Sequence, residues 1–173
     1  MLLGCAVSGA VCVLLALALR GRLGATAWTL AGLLWSIAVI AVITLIPADG
    51  APGVVPAETR LATCSWDIGG PAPEGFWIFS GGQRLLNAVV FVPSGVLLAL
   101  TAARWRSAWV TVPLGLALLA LYSAGIEWTQ LELARIDRAC DVTDIIDNVT
   151  GAGLGVGIGL AVALVARPWR WRG

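Results

Sequence analysis

Five stretches of the chain are apolar with hardly a break: Leu2 to Leu19, Ala27 to Ile46, Leu85 to Ala103, Ala108 to Ile126 and Ile145 to Ala166. The first four carry no charged residue, and the fifth carries Asp147 beside Asn148 in its first turn. A hydrocarbon core about 30 Å thick needs about 20 apolar residues in helical form. Continuous runs, rather than alternation of apolar and polar positions, exclude a closed barrel. The pattern therefore predicts an all-α, polytopic membrane helix bundle with five transmembrane helices. It forms a single membrane domain over 1–173, with a long loop over 47–84 between the second and third spans.

Composition agrees and removes other classes. Hydrophobic residues make up 59% of the 173 positions and charged residues 12%, and the mean hydropathy is +0.91. A disordered chain, a soluble enzyme and a nucleic-acid binder are all excluded on this balance. There is no His, which removes imidazole bases, Ser-His-Asp triads and His metal ligands together.

Charge sets the expected orientation. One side of the five spans receives seven Arg and no acid: Arg20, Arg22, Arg104, Arg106, Arg167, Arg170 and Arg172. The other receives all ten acids and four Arg: Arg60, Arg84, Arg135 and Arg138. Positive residues stay in the cytoplasm, so the N-terminus is expected outside and the C-terminus in the cytoplasm. Trp28, Trp105, Trp109, Trp169 and Trp171 then mark the inner interface, and Trp66, Trp77 and Trp128 the outer one. The tail from Arg167 to Gly173 reads as an inner-interface anchor. A cleaved signal peptide over the first segment is the rival reading, with Ala16-Leu17-Ala18 as the cleavage-like triplet. The positive n-region it requires is missing. Leu2-Leu3-Gly4-Cys5 resembles a lipoprotein box but has no apolar stretch before it, so Cys5 and Cys12 read as small apolar residues of a span.

In the long loop, 56–66 is expected to form a short interfacial helix, and Phe76-Trp77-Ile78-Phe79 a patch anchored at the membrane surface. Cys64 and Cys140 fall in different outer loops, where the environment is oxidising. They are expected to form a disulfide tying the long loop to the segment before the last span.

Polar residues gather near the outer ends of three spans with helical spacing. Arg84, Asn87, Phe91 and Ser94 share one face of the third. Pro93-Ser94-Gly95 is expected to loosen the helix there. Ser123, Glu127 and Gln130 share a face of the fourth. Asp141, Asp144, Asn148, Gly151 and Gly155 share a face of the fifth, where Gly151, Gly155 and Gly159 form a small-xxx-small repeat that admits a neighbouring helix closely. Ionisable residues at this depth face a cavity and pair with one another. Three readings follow. The cluster is an inter-helix salt-bridge network, with Arg84, Arg135 and Arg138 as its cations. It is a pocket for a polar or anionic lipid head group, formed by Arg84, Asn87, Glu127, Gln130, Arg138, Asp141, Asp144 and Asn148. Or Glu127, Asp141, Asp144 and Asn148 hold a hard cation such as Mg²⁺ or Ca²⁺.

These same residues carry a resemblance. The segment from Asn87 to Gly159 resembles the VanZ-like family, named for the teicoplanin-resistance protein VanZ. The matching pieces are Asn87 to Gly95, then Glu127-Trp128-Thr129-Gln130, then the run from Arg138 to Gly151, which resembles the family's R-x-x-D-x-x-D-x-x-x-N-x-x-G signature. Ser94 stands where the family more often has a larger apolar residue, and Asp147 is an acid the signature does not require. The resemblance implies a small integral protein of the cell membrane, in a family whose founding member is associated with low-level resistance to teicoplanin-type glycopeptides.

Function classes remain open at this point. The first is a binder of a membrane lipid or lipid-linked envelope precursor. The second is an intramembrane enzyme on a lipid-linked substrate, with Glu127 or Asp144 as general base, Arg138 on phosphate and Ser123 as nucleophile. The third is a structural partner in an envelope complex, with a homo-oligomer built on the Gly-rich last helix as one form. No nucleic-acid partner and no cofactor is expected. A transporter is disfavoured, because the five spans show no inverted repeat and no pair of broken helices.

Overall fold

The computed structural model describes residues 1–46, 63–66, 68, 82–133 and 140–166. Among these residues there are five long helices: α1 (Leu2–Leu23), α2 (Thr26–Leu45), α3 (Gly82–Ala102), α4 (Ala108–Leu133) and α5 (Val142–Ala166). All five are long and apolar enough to cross a membrane. The shortest has 20 residues, and at about 1.5 Å per residue it spans about 30 Å. Most large apolar side chains point out of the bundle, including Leu14, Trp109, Leu121 and Leu164. That is what a lipid solvent permits.

The helices outrun the apolar stretches at one end. Helix α4 continues from Ile126 to Leu133, and α5 starts at Val142 instead of Ile145. Apolarity marks what lipid covers, whereas helix hydrogen bonding continues wherever the polar side chains find partners. Glu127, Gln130 and Asp144 sit in these extensions, so each is carried on a rigid helix. Helix α3 runs unbroken through Pro93. The ring faces outward, and the neighbouring Ser94 and Gly95 are buried. Ser94 Oγ is 2.9 Å from Ser36 Oγ on α2, so the hydroxyl in this span is satisfied across the helix interface.

Helices α3 and α5 form the closest pair. A Cβ on Gly151, Gly155 or Gly159 would collide with the backbone carbonyl of Ala88, Val92 or Val96, and one on Gly95 with that of Ala152. The expected small-residue face is thus packed, and its neighbour is α3. Ile40, Phe91, Leu119, Ile126 and Ala152 form the core where α2, α3, α4 and α5 meet. Tyr122 flanks it and donates its hydroxyl to Ile37 O at 2.8 Å. Helix α1 packs on α2 through Cys12, Ala16 and Ala31. Cys5 and Cys12 are free thiols in that helix. Trp35 crosses the α1–α2 seam and donates Nε1–H to Cys5 O at 3.0 Å.

The α1–α2 connection turns at Gly24, whose φ of 56° lies in the left-handed region. Arg104, just past the end of α3, clasps this turn. Its Nη1 donates to the Leu23 carbonyl and, at 3.1 Å, to Thr26 Oγ1. The carbonyl is one that the end of α1 leaves without a helical partner. At the opposite end of the bundle, Cys64 and Cys140 form a disulfide with Cα atoms 4.6 Å apart. Residues 63–66 are not helical. Ser65 forms a parallel bridge with Asp141 instead, which corrects the expected interfacial helix over that part of it. The bond to Cys140 places the backbone of Ser65 against 140–142, where it exchanges two hydrogen bonds. The rest of that expected helix, the Phe76–Phe79 patch and the Arg167–Gly173 tail lie outside the described residues.

Candidate functional site

The disulfide end of the bundle contains a cavity of about 180 Å³. Its polar wall is Asn87 from α3, Glu127 and Gln130 from α4, and Asp144 and Asn148 from α5. Ile43 and Thr44 of α2, Val90, Phe91 and Ile126 complete it, and Leu86 lines it while remaining largely exposed on the outside of the bundle. Five of the residues expected to share a site therefore converge, from three helices. Each arrives there by helical spacing: Asn87 and Phe91 lie one turn apart, as do Asp144 and Asn148.

Most of the wall is held in place from behind. Gln130, only 3% exposed, donates Nε2–H to the Thr44 carbonyl at 3.1 Å. That bond fixes the amide's orientation and ties α4 to the end of α2. Asn148 donates Nδ2–H to Ser123 Oγ at 2.9 Å. Glu127, also 3% exposed, accepts the backbone N–H of Asp141 on Oε2 at 3.2 Å. Asn87 differs. Its Nδ2 is buried and has no hydrogen-bond partner among the described residues. A buried amide donor without an acceptor costs free energy.

Other expected site residues stand apart from the cavity wall. Ser123 is fully buried behind Asn148 and engaged by it. Asp141 precedes α5 and accepts the Thr143 amide on Oδ1 at 2.8 Å, capping the helix start. Arg84 turns to the α3–α5 seam, where Nε and Nη2 donate to Asp147 Oδ2 and Oδ1 at 2.8 and 2.9 Å. Arg138 lies outside the described residues, as does Arg135. The salt-bridge expectation thus holds for Arg84, with a partner that the expected set omitted. The signal for Asp147 was present, since a carboxylate in the first turn of a span needs a cation. The role of Thr44 had no signal, because it acts through its backbone carbonyl. Among the described residues, no three carboxylate or thiol groups gather closely enough to hold a metal ion.

The chain matches the VanZ/LLP1 family over residues 33–164. It belongs to that family. It is accordingly a multi-span membrane protein, and its five apolar helices are the candidate spans. No curated protein and no solved structure matches the chain. The VanZ/LLP1 match begins inside α2 and runs almost to the end of α5, so it takes in every residue that lines the cavity. Helix α1 precedes it.

Proposed function

We propose that the cavity binds the polar head group of a membrane lipid or a lipid-linked envelope precursor, one rich in hydroxyls such as a glycolipid, at the outer face of the cell membrane. The observation that carries this is the convergence of two carboxylates, Glu127 and Asp144, and the carboxamides of Asn87, Gln130 and Asn148 on one cavity. A hydroxyl both donates and accepts, whereas a carboxylate only accepts and an amide NH₂ only donates. Sugar hydroxyls match such a wall from both sides. The volume supports a head group and not a whole lipid: drug-sized pockets run to about 300–1,000 Å³. Exposed Leu86 at the rim leaves the acyl chains in the surrounding bilayer. The outer placement rests on the charge asymmetry of the loops and on a disulfide at this end, which an oxidising compartment preserves. On this reading an effect on teicoplanin susceptibility would follow from altered lipid at the cell surface.

The test is native mass spectrometry of the protein released from nanodiscs of phosphatidylglycerol containing a glucosyl diacylglycerol, wild type beside Glu127→Gln. Retained glycolipid that the substitution removes is the expected result. Wild type that emerges bare, or with phosphatidylglycerol and glycolipid in their bulk ratio, would overturn the reading.

A further inference from the structure

The disulfide sits one residue from a contact of the cavity wall. Cys140 is buried, and the next residue, Asp141, gives its backbone N–H to Glu127 Oε2 at 3.2 Å. The chain at 140–142 is held from the other side by Ser65, which donates N–H to Cys140 O at 2.9 Å and accepts Val142 N–H at 3.1 Å. The bond between Cys64 and Cys140, 76 residues apart, brings Ser65 to this place. A two-bond bridge alone cannot hold so long a connection closed.

We infer that the Cys64–Cys140 bond is the positioning element of the cavity. Oxidised, it presents the Asp141 amide to Glu127 and fixes that carboxylate on the wall. Reduced, it releases both and the cavity loses its ligand. The inference rests on the head-group reading above for its second half only. The chemistry is thiol–disulfide exchange with a dithiol. One reductant thiolate attacks Cys64 Sγ, the less buried of the two residues, and Cys140 leaves as a thiolate that takes up a proton. The second reductant thiol then displaces Cys64 from the mixed disulfide. Two electrons and two protons pass to the protein, and the dithiol becomes a cyclic disulfide. Cys5 and Cys12 are spectators in α1.

The experiment follows the full-length protein in the same glycolipid nanodiscs before and after dithiothreitol, by hydrogen exchange of the peptide containing Asp141 and by retained glycolipid. An amide released from a charged acceptor is expected to exchange roughly tenfold faster or more, and glycolipid retention is expected to fall with it. A Cys64→Ser/Cys140→Ser variant should reproduce the reduced state without reductant, while Cys5→Ser/Cys12→Ser should respond to the dithiol as wild type does. Unchanged exchange at Asp141 after verified reduction overturns the inference, as does glycolipid that stays bound. So does a broad loss of helical circular dichroism on reduction, which would make the bond a staple of the whole fold. If the oxidised protein holds no glycolipid yet Asp141 still loosens on reduction, the positioning role stands and the head-group reading falls.

Discussion

Arg84 on α3 grips both carboxylate oxygens of Asp147 on α5, at 2.8 and 2.9 Å, directly above the glycine seam that joins the two helices. The pair is largely buried, with side-chain exposures of 20% and 8%. Removing Asp147 strips Arg84 of both hydrogen-bonded oxygens and leaves only the more distant carboxylates of Asp144 and Asp141. Asp147→Ala is therefore expected to cost about 1–3 kcal/mol, between an exposed and a stranded buried pair. The double change Arg84→Met/Asp147→Leu should cost less than Asp147→Ala alone. Thermal unfolding of both variants in detergent checks this, and equal losses would show that the stranded Arg84 carries no penalty of its own.

The seam below makes a second prediction. Gly155→Ala places a methyl against the Val92 carbonyl and is expected to destabilise by about 1–3 kcal/mol. Gly153 and Gly157 lie on the same helix with open space around them. Alanine at either should leave stability unchanged or raise it by a few tenths to about 1 kcal/mol, the helix-propensity difference. A melting series across the three positions reads this out directly.

Asn87 separates stability from function. Its buried Nδ2 has no partner among the described residues, so Asn87→Leu relieves an unsatisfied donor and should keep or raise the melting temperature. The same change should abolish glycolipid retention in native mass spectrometry. A variant that melts lower and still binds would show that the amide is structural.

Orientation is checked by a single cysteine in place of Arg106, in a background with Cys5 and Cys12 replaced by Ser. The side with seven Arg and no acid is expected in the cytoplasm. A membrane-impermeant maleimide should then label this cysteine in inverted vesicles and not in whole cells. Labelling in whole cells would invert the proposed topology.

The arrangement around Ser123 shows where reading a sequence stops. Ser123, Glu127 and Gln130 lie on one face of α4 by spacing alone, and the structure keeps them on one face. Yet only Glu127 and Gln130 reach the cavity, because Asn148 comes from α5 to cover the serine. Spacing fixes which residues share a side. It cannot fix how far along that side a neighbouring helix reaches.

By itself the sequence determined the five spans, the polar ends of three of them, the close-packing glycine face of α5 and the pairing of Cys64 with Cys140. All of these follow from local causes: an apolar run of sufficient length, a 3.6-residue period, and two thiols on one side of the membrane. Tertiary structure alone decided that α3 is the helix against those glycines, that Arg84 chooses Asp147, that Gln130 reaches the Thr44 carbonyl and that Asn87 Nδ2 finds no partner among the described residues. Each of these depends on the relative depth and rotation of separate helices. That is set by the sum of packing contacts across the bundle, and no single residue in the sequence encodes it.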